Sequence, residues 1–280
     1  MSCEPGRPPA PAGAPRAAES YAFDNDDPEA AHRHLYLAEI LDELTISRLS
    51  GLGDLAGGWC LEIGAGGGSI AGWLARQAGP AGRVLATDLN PRYLPADGGY
   101  EVLRHDLTVE PIPAGPWDVI HVRLVLLHLP QRREILGRLA AALAPGGALV
   151  IEEFETTFRK AALVAPTPEA AALVEIYHGL LVERVLPAHG NDPTWAGRVH
   201  AAMLAEGLVD VETVVHARSW PGGTAGALLI GANIDQLYAE FLEAGMSAAE
   251  LDELRRLVRD PRLVVRGNLT YSTIGRRSRG

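Results

Sequence analysis

An apolar run, Trp59-Cys-Leu-Glu-Ile63, leads straight into Gly64, Gly66 and Gly68 in alternation, and an Ala- and Leu-bearing stretch at helical spacing begins at Ser69. A buried strand therefore turns directly into a helix, with glycines at the corner. Glycine tolerates positive φ and carries no side chain, so a ligand can come against the main chain where the helix N-terminus offers unpaired N–H groups. Glu62, placed just before the glycines, narrows the ligand. A carboxylate repels a diphosphate and attracts a positively charged amino group.

Strands and helices alternate after this turn. The spacing predicts strands over Trp59–Ile63, Arg83–Thr87, Tyr100–Arg104, Trp117–Val122 and Ala148–Phe154, with helices over Ser69–Gln77, in the short stretch after Asn90, and over Arg132–Leu143. Short apolar strands separated by helices imply an α/β fold, a doubly wound and mostly parallel sheet covered on both faces. Before the glycine strand, Leu35, Leu37, Ile40, Leu41, Leu44 and Leu49 recur at helical spacing from a start at Asp27-Pro28-Glu29. After it, residues 156–193 form a helical insertion, and Thr194–Glu206 reads as a helix. Val209–Trp220 reads as a strand, Ile234–Arg259 as helical, and Arg262–Ile274 as a last strand. The organisation expected is a disordered tail over 1–20, N-terminal lid helices over 21–52, and one domain over 53–280 with helical insertions at about 156–193 and 230–260.

With 280 residues, 47% of them hydrophobic, the chain can bury a full core. A formal net charge of −10 without a clustered basic stretch argues against a nucleic-acid surface and for a small-molecule partner. Cys3 and Cys60 offer neither a disulfide framework nor a zinc-ligand spacing, so no metal is expected. No apolar run has the length of a signal-peptide core or a membrane span, and a soluble cytoplasmic protein is expected. The apolar helix from Leu35 to Leu49 offers a face on which a homodimer could form.

Three acids end three successive strands: Glu62, Asp88 and Asp106. In an open parallel sheet all three line one crevice beyond the carboxyl ends of the strands. Asp88 follows the glycines by about twenty residues, the position from which a carboxylate accepts hydrogen bonds from both hydroxyls of a ribose. Ser69 stands where a dinucleotide-binding loop needs Gly or Ala for helix packing, and no tyrosine is followed four places on by lysine, which counts against an oxidoreductase.

These residues resemble the class I S-adenosylmethionine-dependent methyltransferases, in particular those of the ubiquinone-biosynthesis type and of bacterial natural-product pathways. Glu62-Ile-Gly-Ala-Gly-Gly-Gly68 is similar to that family's Asp/Glu-x-Gly-x-Gly-x-Gly loop, Asp88 to its ribose-binding acid, Asp106-Leu107 to its adenine contacts, and Leu143-Ala-Pro-Gly-Gly147 to its turn before strand five. The resemblance implies a seven-stranded sheet whose last strand is antiparallel, with helical lid insertions. It implies S-adenosylmethionine as cofactor and S-adenosylhomocysteine as product, and cofactor contacts from Tyr21, Glu62, Gly64, Ala65, Gly66, Asp88, Leu89, His105, Asp106, Leu107, His121 and Arg123. Tyr21-Ala-Phe-Asp-Asn25 would belong to a lid. The activity implied is methyl transfer to an O, N or C atom of a small organic molecule in bacterial secondary metabolism. The alternative keeps the same ligand and catalyses a non-methylating cyclisation or elimination.

Methyl transfer is an in-line displacement in which orientation supplies much of the rate, and a base is needed only for acceptors that must lose a proton. The candidates lie past strands four and five. His121 ends strand four facing the expected methyl position, Arg123 follows it, Glu153 ends strand five, and His178 stands in the insertion beside Tyr177 and ahead of His189. His121, Glu153 and His178 are the catalytic candidates. His128, within Leu-Val-Leu-Leu-His-Leu-Pro, reads as a structural histidine.

Overall fold

A computed structural model describes Phe23 and residues 30–280. Tyr21, the helix start at Asp27-Pro28-Glu29 and the proposed tail lie outside the described residues. Among the described residues the first helix, α1 (Ala30–Ser50), is continuous and precedes β1 (Trp59–Ile63), α2 (Ser69–Ala78), β2 (Arg83–Asp88), β3 (Glu101–Arg104), β4 (Trp117–Arg123), α3 (Arg132–Ala142) and β5 (Leu143–Glu155). The insertion contributes β6 (Ala162–Val164) and α4 (Pro168–Leu180). It is followed by α5 (Val199–Ala205), β7 (Val209–His216), β8 (Ser219–Pro221), α6 (Ala225–Gln236), α7 (Tyr238–Glu243), α8 (Ala248–Leu257), β9 (Val264–Arg266) and β10 (Leu269–Arg276).

The main sheet has seven strands in the order β3-β2-β1-β4-β5-β10-β7. The pairings among β1 to β5 are parallel, and β10 runs antiparallel to both β5 and β7. Side chains of successive strand residues point to opposite faces, so each strand feeds two cores. Leu61, Ile63, Ile120, Val122, Leu149 and Ile151 pack with Ile135, Leu139, Trp195 and Met203. Cys60, Val119, Ala148 and Val150 face the other way, against Ile70, Leu74 and Leu49 of the helices. Each such aliphatic side chain, once buried, contributes about 1.5–3 kcal/mol relative to exposure.

Several boundaries differ from the sequence reading. The single strand expected over 209–220 is two, because the chain leaves the main sheet after His216 and β8 joins a second sheet, in the order β6-β9-β8. The last strand divides likewise at Gly267-Asn268, giving β9 to the small sheet and β10 to the large one. Both long apolar runs switch partners midway, which periodicity within one run does not reveal. The helical stretch expected from Ile234 begins at Ala225 and is broken at Leu237 and around Gly245. The helix expected at Thr194 begins as a short 3-10 turn at Ala196. Leu143–Gly147, expected as a turn, is already part of β5: Leu143 pairs with Trp117 and Ala148 with Val119, so the intervening residues bulge.

Helix α1 lies across the main sheet and against α6, burying Arg33, Leu41, Thr45 and Leu49 within its own chain. The face expected to pair with a second copy is thus largely used internally, while Leu35 is exposed. None of the helices among the described residues is long and apolar enough to cross a membrane.

Candidate functional site

Beyond the carboxyl ends of β1, β2 and β4 the described residues enclose a cavity of about 970 Å³. Its floor is the turn from β1 to α2. Gly64 and Gly66 hold φ of 66° and 54°, and a Cβ on Gly64 would stand 2.3 Å from Cγ2 of Val125, so only glycine fits there. Asp88 Oδ2 accepts from Gly66 N at 2.9 Å and Oδ1 accepts from Asn90 N at 2.9 Å. Burial raises its pKa, against the pull of the backbone N–H groups of Asn90, Gly66 and Leu89. With three backbone N–H donors on its four acceptor positions, the carboxylate keeps one unfilled.

Asp106 follows β3 and accepts from Thr108 N at 2.9 Å and from Thr108 Oγ1 at 2.6 Å, all through Oδ1. Gly64, Ala65, Gly66, Asp88, Leu89, His105, Asp106, Leu107 and Arg123 line the cavity. Arg123 donates to Asp42 Oδ1 at 2.8 Å and to Thr45 Oγ1 at 3.0 Å, and Ser69 Oγ reaches the same Asp42 oxygen at 3.1 Å.

Glu62 and His121 do not line the cavity. Residues 62 and 121 are register partners that face α1, and their side chains meet inside the sheet layer: His121 Nδ1 lies 2.7 Å from Glu62 Oε2, and Nε2 faces Glu152 Oε2 at 3.5 Å. Glu152 also accepts from the Thr45 hydroxyl. The three groups are almost wholly buried. Burial alone would discharge His121, but the attraction and hydrogen bonding of Glu62 and Glu152 outweigh it and push its pKa up to about 9. Although burial also opposes charge on Glu152, the hydrogen bond and charge of His121, with Thr45 and Arg123, hold it below the usual carboxylate range. An alternating ladder of acid and base thus runs from Glu62 through His121, Glu152 and Arg123 to Asp42. The carboxylate expected to meet a ligand's amino group instead holds this ladder.

Glu153 also lies away from the cavity, because alternation turns it to the opposite face from Glu152. It is fully buried and accepts from Leu126 N at 2.8 Å and Leu127 N at 3.3 Å, and burial pushes its pKa up to about 8. His178 stacks on Phe158 with ring centroids 4.6 Å apart and is likewise outside the cavity.

Of the groups that complete the wall, the sequence reading named His189 in the insertion and His128 as structural, and passed over His34, Arg33, Gln236 and Glu240. His34 of α1 lies over the glycine turn, 3.5 Å from where a Gly66 Cβ would be, and burial with the neighbouring Arg33 lowers its pKa to about 4. Arg33, His128, His189, Gln236 and Glu240 line the cavity as well. His34, Leu37 and Ala38 share one helical face by their spacing, and that face brings one ring and two apolar side chains to the crevice.

The fold is similar to that of solved structures described as methyltransferases. Residues 61–149 match the family model described as a methyltransferase domain. Over 100 residues the chain is 43% identical to Methyltransferase str2 of Strobilurus tenacellus, a match covering 34% of this chain and 35% of that one. Over 115 residues it is 27% identical to the ubiquinone/menaquinone biosynthesis C-methyltransferase UbiE of Pseudomonas putida, covering 38% of this chain and 45% of that one. The similarity therefore spans well under two thirds of these relatives' length. Among solved structures, phosphoethanolamine N-methyltransferase 2 of Haemonchus contortus, in complex with S-adenosyl-L-methionine, superposes with a TM-score of 0.51 at 15% identity, covering 89% of this chain and 56% of that one. A candidate sarcosine dimethylglycine methyltransferase of Galdieria sulphuraria gives 0.50 at 15% identity, with 85% of each chain covered. At this identity the two structures speak to the fold.

Proposed function

We propose that the protein transfers a methyl group from S-adenosylmethionine to a small organic molecule. The observation that carries this reading is the gathering, in one cavity beyond the strand ends, of the glycine turn Gly64–Gly66 and the Asp88 carboxylate, within a stretch that matches methyltransferases. The residues fit the cofactor: Asp88 would accept from the ribose hydroxyls, Asp106 and Leu107 would meet the adenine, the glycine turn would pass beside the amino-acid portion, and Arg123 would face its carboxylate. The cofactor, when bound, supplies a methyl group activated by the positive charge on sulfur. The chain's own part is to hold the acceptor in line with that methyl and to keep water away. Helix α1, with α6 and α7 reaching the wall through Gln236 and Glu240, serves as the lid. The setting we propose is bacterial specialised metabolism, on the strength of the sequence resemblance.

The test is titration calorimetry with S-adenosylmethionine, followed by mass spectrometry of S-adenosylhomocysteine across phenols, carboxylic acids, amines and enolisable carbonyl compounds. Binding with acceptor-dependent S-adenosylhomocysteine is expected. Absence of binding, or binding with transformation of the acceptor and no S-adenosylhomocysteine, refutes the reading.

A further inference from the structure

His189 and Glu240 line the same cavity, and Nε2 of the ring lies 4.0 Å from Oε1 of the carboxylate. Among the described residues neither side chain has a hydrogen-bond partner, whereas His105, His121 and His200 spend a ring nitrogen on Pro111, Glu62 and Thr213. The main chain that carries each is fixed. His189 closes the helical turn Leu186–Ala188, and the residues after it are clamped to the turn that follows β4. Asp192 N donates to Leu127 O at 2.8 Å, and Arg132 donates to Gly190 O at 2.7 Å and to Asp192 Oδ2 at 3.2 Å. Glu240 belongs to α7, which the fully buried Phe241 pins against the Tyr177 ring, with centroids 5.0 Å apart. Asp88 and Asp106 follow β2 and β3, so the strand order β3-β2-β1-β4-β5 puts this pair on the side of the crevice away from the proposed nucleoside contacts.

We propose that His189 is the general base for a phenolic acceptor and Glu240 its positioning residue, the two forming the acceptor end of the crevice. A carboxylate only accepts, so it draws the ring proton to Nε2 and leaves Nδ1 bare for the acceptor's O–H. The 4.0 Å gap closes to a hydrogen bond, by about 1 Å, when the acceptor is bound, as catalytic contacts commonly do. A phenol suits the site. Its O–H is close enough in acidity to an imidazolium for a concerted transfer, which an alkyl hydroxyl is not. Leu37, Val125 and Leu129 line the cavity as well and offer an aromatic ring apolar surface. Burial and the charge of Arg33 lower the pKa of both His34 and His128, so positive charge on this wall disfavours an ammonium acceptor. In the reaction an electron pair of the phenol oxygen forms the bond to the methyl carbon, the carbon–sulfur pair returns to sulfur, and the O–H proton passes to His189 Nδ1. Glu240 stabilises the resulting imidazolium, which then gives its proton to solvent.

The inference rests on the methyltransferase reading, and titration of S-adenosylmethionine separates their failures. Wild type, His189→Ala and Glu240→Gln should bind it alike, which also shows the variants folded, and absence of binding by wild type refutes the parent reading instead. Turnover of phenols graded in acidity then tests the base. His189→Ala should lower kcat about a hundredfold or more for weakly acidic phenols and hardly at all for nitrophenols already ionised in the buffer. Free imidazole should restore activity to His189→Ala and none to Glu240→Gln, whose own loss should be about tenfold with the same grading. A readout without turnover comes from nitrogen-15 spectra of histidine-labelled protein, with the His189 signals assigned by their disappearance in His189→Ala. These should show Nε2 protonated and Nδ1 bare, and Nδ1 should shift when a phenol is added to the complex with S-adenosylhomocysteine. Binding without methylation of any phenol, an equal loss across the phenol series, failure of imidazole rescue, or an Nδ1 signal unmoved by phenol overturns the inference.

Discussion

Replacing His121 by Gln isolates the charge in the buried ladder, because Gln can still donate to Glu62 but cannot be a cation. Glu62 and Glu152 both lie within 3.5 Å of the imidazole, with His121 itself wholly buried. Its pKa rises from 6.5 to about 9 on folding, a difference worth about 3 kcal/mol. Removing one member of a buried ion pair costs about 3–5 kcal/mol, the same range. Because the folded value lies above the unfolded one, the contribution is fully present below pH 6.5 and is lost as the pH rises through about 9. Urea unfolding of the ligand-free protein should place His121→Gln roughly 1 M below wild type in midpoint at pH 6. The gap should narrow steadily toward pH 9.5. A variant as stable as wild type at pH 6, or a gap unchanged with pH, would refute a charged His121.

Glu62→Gln should destabilise the protein by about 3–5 kcal/mol while changing S-adenosylmethionine affinity less than about threefold, since Glu62 faces His121 and not the cavity; calorimetry and thermal unfolding read the two separately. Asp88→Ala should weaken S-adenosylmethionine binding by about tenfold or more through loss of a charged acceptor, measured by titration calorimetry. Gly64→Ala sets a Cβ 2.3 Å from Val125 at a φ of 66°, and should cost about 1–3 kcal/mol in stability together with cofactor binding. Ser247→Ala removes the capping box that Ser247 forms with Glu250 at the start of α8, so unfolding should register a loss of about 1 kcal/mol with unaltered S-adenosylmethionine affinity.

Strands β1, β2 and β4 were legible because each holds a short apolar run between turns, and local periodicity is enough to place such a unit. The small sheet was not, because β8 and β9 are continuations of the runs that form β7 and β10. In the crevice, Asp88 and Asp106 were readable from their positions at strand ends. Glu62 occupies an equivalent position in sequence, but its partner across the sheet is 59 residues away. Nothing local to Glu62 says that His121 will take its carboxylate inward.

The chain's own order of residues determined a strand, a glycine corner and a helix, their repetition as a layered α/β fold, and an acid at the end of each early strand. These are short-range properties, set by φ preference, side-chain alternation and apolar spacing. Only the tertiary structure decided which strand-end groups face the cavity and which face one another. It turned Glu62 and His121 into a buried ladder, sent Glu153 beneath a turn, and brought His34, His128 and Glu240 to one wall from three distant segments. The direction of a side chain at a strand end depends on what packs over it, and helix α1, laid across the sheet with Thr45 against Glu152, makes that choice here.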